Sequence, residues 1–142
     1  MSEFQDRVVV PPHIDVQFDR PNRRYEPGDR LAVRYRVEGR EGDLTDAIEH
    51  SVLWYTEGKG EEDLGVHFFQ RVADRALRGP RGLSGDFATT LPKSPLSYEG
   101  LIVKVRWCIR VRVFYEGLRD YVSEHVFEMG GVPPARIPVS RS

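Results

Sequence analysis

Residues 101 to 115 read LIVKVRWCIRVRVFY, and counting by twos separates them cleanly. Leu101, Val103, Val105, Trp107, Ile109, Val111, Val113 and Tyr115 fall on one side, while Lys104, Arg106, Cys108, Arg110 and Arg112 fall on the other. A helix would scatter the apolar residues around its cylinder and turn basic groups toward the core, so the two-residue period predicts a strand. This strand belongs at the centre of a sheet with one wet face. At roughly 3.3 Å per residue it would run about 50 Å, long enough to predict a bend or bulge near Cys108.

The same alternation recurs on both sides of this stretch. In HIDVQFD, Ile14, Val16 and Phe18 alternate with His13, Asp15, Gln17 and Asp19. Pro27-Gly28 suits the central pair of a type II turn, and after it Leu31, Val33, Tyr35 and Val37 form the apolar face of a second strand whose polar face carries Arg30, Arg34 and Arg36. A third strand is predicted from Ile48 to Thr56, covered on both sides. The acidic, glycine-containing run Glu57 to Asp63 then serves as an exposed hairpin connection. LGVHFFQRV returns with Leu64, Val66 and Phe68 on one side, ADRALRGPRG reads as loop, and LSGDFATTLP gives a short strand. After a Glu116-Gly117 turn, RDYVSEHVFEM forms a hairpin with the long strand.

Seven strands with no helix and no long repeat predict an all-β fold, a seven-stranded antiparallel β-sandwich of immunoglobulin size, with a closed barrel as the alternative. The expected organisation is an arm over residues 1–12, one sandwich domain over 13–129 and a proline-containing tail over 130–142. The chain has 142 residues and net charge −1. That balance gives no global attraction to nucleic acid, and no stretch has the length of a membrane span. A single cysteine and the lack of a leader-like N-terminus predict a reducing, cytoplasmic location.

Three short motifs stand in order: Tyr25-x-Pro27-Gly28-Asp29 before the second strand, then Leu91-Pro92, then Pro95-x-Ser97-Tyr98-x-Gly100 before the long strand. Together with the alternation they resemble an arrestin-type domain over roughly Ile14 to Phe127. The resemblance implies an arrestin-like sandwich acting as a non-catalytic adaptor or scaffold. Arrestins and the related retromer subunits carry two such sandwiches in tandem, whereas 142 residues accommodate one. Neither Pro11-Pro12 nor Pro133-Pro134 continues into the Pro-Pro-x-Tyr motif of some arrestin-domain adaptors.

Residue chemistry supplies the candidate sites. Lys104, Arg106, Arg110 and Arg112, joined by Arg30, Arg34 and Arg36 if the second strand shares that sheet, would form a basic ridge for an acidic or phosphorylated peptide of a protein partner, a phosphate or an anionic lipid head. The competing reading is a solvated face whose arginines pair across strands with Glu49, Glu124 or Glu128. Nucleic acid is not an expected partner, and a homo-oligomer is a further candidate assembly. His13 and Asp15 have the spacing of two metal ligands but lack a third, so no metal and no cofactor are predicted. No catalytic residue is assigned. His50, His67 and His125 have no nucleophile at a recognisable spacing, and Ser97 does not sit in a Gly-x-Ser-x-Gly elbow. Cys108 has an arginine two residues away on each side, which would lower its pKa, and Trp54 and Trp107 have the chemistry to stack on a sugar but fall on core faces. The expected function is therefore protein binding without catalysis; a structural subunit of a larger assembly is the alternative, and a metal- or carbohydrate-binding module a weaker one.

Overall fold

A computed structural model describes residues 11–38, 45–73, 78–79, 82–115 and 119–130. The Glu116-Gly117 turn, residues 1–10 of the arm, and the tail from 131 onward lie outside the described residues. Ten strands and no helix occur among the described residues: β1 (His13–Phe18), β2 (Arg24–Tyr25), β3 (Arg30–Glu38), β4 (Thr45–Gly58), β5 (Leu64–Ala73), β6 (Arg78–Gly79), β7 (Gly82–Thr90), β8 (Tyr98–Glu99), β9 (Val103–Tyr115) and β10 (Asp120–Met129). The longer seven correspond to the alternating segments of the sequence. Three two-residue strands add to them, and one of these, β2, runs parallel to β10.

The strands form two sheets packed as a sandwich, one ordered β1-β3-β7-β6 and the other β2-β10-β9-β4-β5 with β8 beside β9. Between them lie Leu31, Val33, Tyr35 and Val37 from β3, Ile48 and Val52 from β4, Trp107, Ile109, Val111 and Val113 from β9, and Phe127 and Met129 from β10. β9 is central, paired with β4 on one side and with β10 and then β8 on the other. Strand alternation delivers this core because each inward residue is followed by one facing outward.

The sequence motifs turn out to be fasteners. Glu26 to Asp29 closes a turn through the Asp29 N–H donating to Glu26 O at 3.0 Å, with Gly28 at φ 85°, the positive angle that glycine adopts without steric cost. Asp29 Oδ2 also accepts from the Glu26 N–H and from Arg20 Nη1, both at 2.8 Å, and these donors hold its carboxyl below the usual range. The Leu91 N–H donates to Asp29 O at 2.8 Å, so the first motif is tied to the second. Ser97 completes the set: its N–H donates to Met129 O at 2.7 Å and its Oγ accepts from the Met129 N–H at 2.8 Å.

Three expectations are corrected. β9 starts at Val103, and Leu101 and Ile102 lie before it, 65% and 70% exposed; alternation continued past Gly100 in the sequence, but the backbone reverses there. β9 carries no bulge at Cys108, since pairing with β4 and β10 stays in register through that residue; the shifts fall at Thr45/Ala47 and at Val52/Leu53. The second shift inserts an extra residue into β5 at His67. Leu64 and Val66 therefore face outward, 55% exposed each, while Phe68 packs on the core.

β4 and the β8–β9 loop touch at Gly58. Its φ is +141°, and a Cβ there would meet the carbonyl oxygen of Ile102. Gly58→Ala is expected to lower stability by about 1–3 kcal/mol, read by thermal unfolding. Gly60→Ala should do less, because nothing lies within 4 Å of its Cβ position; equal losses would show that backbone angle alone sets the cost.

Candidate functional site

The predicted basic ridge is two separate surfaces. β3 and β9 belong to different sheets packed face to face, so Arg34 and Arg36 point away from Lys104, Arg106, Arg110 and Arg112 across the thickness of the molecule. The sequence registered two polar faces without showing that a core separates them.

On β9 each of the four basic residues has a carboxylate partner. Lys104 Nζ is 3.0 Å from Glu99, Arg106 Nε 3.0 Å from Glu57, Arg110 Nη2 2.9 Å from Glu124 and Arg112 Nε 3.6 Å from Asp120. Register places two of these pairs directly opposite one another, Glu99 with Lys104 and Glu124 with Arg110, while Glu57 stands opposite Lys104 and reaches Arg106 diagonally. Glu99 is held below its usual range by its hydrogen bond and proximity to Lys104. Ligand anions arriving at this face must displace carboxylates already in place. Between the ion pairs runs an apolar row in register, Val66, Leu53, Cys108 and Val126. Leu53 and Cys108 are buried although they face outward. Burial pushes the Cys108 thiol up to about 12, with Glu124 adding to the effect and Arg110 opposing it; the lowering expected from its arginine neighbours is outweighed by desolvation.

On β3 the situation differs. Arg30 and Arg34 are exposed and form no ion pair among the described residues, while Arg36 pairs with Glu38 at 3.5 Å. Arg30 and Arg34 flank Ala32, which stands opposite Ala88 of β7. Two small side chains between two long ones leave a shallow depression of about 570 Å³ over Ala32, Ala88 and Asp86. A second, of about 530 Å³, continues past Arg34 to Arg36, Asp15 and Ser84. The trough is open and polar, and it crosses the sheet from β1 to β7.

The remaining candidates are structural. Asp19 Oδ1 accepts from the buried Tyr25 hydroxyl at 2.6 Å; burial first, and then this bond, push that phenol far above its ordinary value. Among the described residues no three of His, Cys, Asp or Glu are grouped to hold a metal ion. Trp107 is fully buried and its Nε1–H donates to Pro95 O at 2.7 Å, while the half-buried Trp54 lies across Gly65 of β5. His67 Nε2 bonds Thr90 O at 2.7 Å, linking β5 to the opposite sheet. His50, to which the sequence reading gives no role, lies in the core, 1% exposed. Its Nε2–H donates to Gln70 Oε1 at 2.9 Å, leaving Nδ1 to accept from the Tyr35 hydroxyl at 2.9 Å. Its position, two residues from Ile48 and from Val52, was the available signal.

No helix among the described residues is long and apolar enough to cross a membrane. No protein-family model matches the sequence, and no curated protein does. Among solved structures, the chain is similar to the sporulation control protein Spo0M from Bacillus subtilis, with a TM-score of 0.59 and 14% identity over 87% of this chain. The match spans 51% of Spo0M, about half its length. At that identity the likeness concerns fold alone, and the fold is an arrestin-like β-sandwich.

Proposed function

We propose that this chain is a non-catalytic protein-interaction module that receives an acidic or phosphorylated segment of a partner on the outer face of its smaller sheet. The observation that carries this reading is the trough over Ala32 and Ala88, flanked by Arg30 and Arg34, whose guanidiniums make no ion pair among the described residues. Guanidinium matches carboxylate and phosphate with paired, directed donors. Two of them four residues apart on a strand stand about 13 Å apart, the span of an extended segment of comparable length. Arg36 extends the surface toward Asp15, while Asp86 selects against ligands with negative charge at that point. Lys104, Arg106, Arg110 and Arg112 would serve as a second contact only by exchanging the carboxylates they already hold.

The test uses a synthetic peptide of alternating glutamate and phosphoserine, titrated calorimetrically at low and high salt. Wild type is expected to bind, with affinity falling as salt rises. Arg30→Glu/Arg34→Glu should weaken binding by about tenfold or more with the unfolding midpoint nearly unchanged, because both side chains are exposed. Unaltered binding in that variant, or no binding by wild type, would refute the assignment. Loss in Arg110→Glu/Arg112→Glu alone would move the site to the other sheet.

A further inference from the structure

The outer face of the smaller sheet is laid out in rows, because residues standing opposite one another on β1, β3 and β7 point the same way. One row is Gln17, Arg34 and Asp86, the next along β3 holds Ala32 and Ala88, and the one after it pairs Arg30 with Thr90. Asp86 is exposed and, like Arg30 and Arg34, forms no ion pair among the described residues. Charge is therefore uneven along the trough. Arg30 faces an uncharged neighbour, whereas Arg34 has a carboxylate opposite, with backbones about 5 Å apart. An anion approaching Arg34 meets attraction and repulsion together, and phosphate, with roughly two negative charges, is repelled most. The field of Asp86 reaches the core as well, since burial and then the Asp86 charge push the Tyr35 phenol up to about 12. A ligand that suits this surface brings a cation for Asp86 along with its anions.

The alanine row sets where that cation enters. An extended segment lying along β3 presents every second side chain to the sheet, about 6.7 Å apart, so its period matches that of the rows. Acidic side chains at its first and fifth positions then stand over Arg34 and Arg30. The third side chain lies over Ala32 and Ala88, where two methyl groups leave the depression of about 570 Å³. Asp86 is one row away, on the same strand as Ala88, within diagonal reach of a long side chain. A lysine in that place lays its methylenes on the alanines and its ammonium beside Asp86. A carboxylate or phosphate there meets like charge instead.

We infer that the trough takes an unphosphorylated segment of the pattern acidic-x-basic-x-acidic, with Asp86 as the residue that selects the central cation. This rests on the peptide-binding reading and narrows it, from net negative charge to an order of charges. The pattern is the same from either end, so it holds for both directions of the bound segment.

Three capped peptides that differ only at the centre test it: Glu-Thr-Lys-Thr-Glu, Glu-Thr-Glu-Thr-Glu and Glu-Thr-phosphoserine-Thr-Glu, each titrated at low salt into the full chain and followed by NMR up to millimolar peptide. Wild type is expected to bind the lysine peptide about fivefold or more tighter than either of the others. Asp86→Asn should abolish that preference, and Asp86→Lys should reverse it, with the phosphoserine peptide tightest. Asp86 makes no side-chain hydrogen bond among the described residues, so thermal midpoints should stay near wild type; if Asp86→Asn melts early, Asp86→Ser replaces it. Equal affinities in wild type, tightest binding of the phosphoserine peptide, or a lysine preference that survives in Asp86→Asn overturns this inference and leaves the broader reading standing. Failure of all three peptides to shift the β3 and β7 amide signals overturns both.

Discussion

Trp107→Ala is expected to lower the free energy of unfolding by about 3–5 kcal/mol, measured by urea denaturation. The indole is 0% exposed at the middle of the central strand, opposite Trp54 on β4 and Phe127 on β10. Truncation would remove its contact with the Phe127 ring, whose centroid is 5.9 Å away, and open a cavity that flanking strands cannot close without breaking their ladders. It would also leave Pro95 O without the Nε1–H that now reaches it at 2.7 Å. Trp107→Phe separates the two effects. It retains most of the aromatic volume but not the donor, and should cost about 1–3 kcal/mol for the unpaired carbonyl and the smaller ring. A loss below about 1 kcal/mol for the alanine variant would place the indole outside the core.

That result bears on why this fold is readable from the sequence. A period of two identifies which residues of β1, β3, β9 and β10 share a face, and hydrophobic content identifies which face is buried; Val33, Tyr35, Trp107, Ile109 and Val111 follow from these facts alone. Period says nothing about which sheet a strand joins. The arginines of β3 and β9 therefore looked like candidates for one ridge, and only the topology separates them. Alternation also has no means of detecting a single inserted residue, which is why the outward turn of Leu64 and Val66 at the His67 bulge was invisible. Nor could it show that LIV at the start of the long stretch contains a chain reversal, since apolar residues continue through it in step. As far as the sandwich fold goes, the motif resemblance has a physical basis: the Asp29 carboxylate and the Ser97 hydroxyl accept backbone N–H groups that fix a connection, and the Leu91 side chain is buried. The trough on β3 depends on two alanines and two arginines meeting across strands, and no local pattern announces it.

The other large effect is expected at His50. His50→Ala should lower stability by about 3–5 kcal/mol, from a cavity and from polar groups left unpaired. The ring is stacked on Phe87 at 4.3 Å between centroids and 10° between planes, with Phe68 at 6.0 Å. Its loss would strip the hydrogen-bond partners of the Tyr35 hydroxyl and of Gln70 together, on strands from both sheets. Desolvation lowers the pKa of His50 from the ordinary 6.5, outweighing the bond to Gln70 and the charge of Asp86, which raise it. The folded state therefore binds fewer protons than the unfolded chain between the folded-state value and 6.5. The stability linked to this group is complete above 6.5 and is lost as the pH falls through the folded-state value. His125 shares the direction, lowered chiefly by burial and then by Arg23, so the wild-type curve alone does not isolate His50. The difference between wild type and His50→Phe does, because His125 is common to both. Wild type should be the more stable at neutral pH, and the gap should narrow on acidification below 6.5, as only wild type must force a proton into the core. A gap that holds constant down to pH values where unfolded histidine is fully charged would mean that His50 protonates in the folded state as readily as in water, and that the bridge between Tyr35 and Gln70 does not exclude solvent.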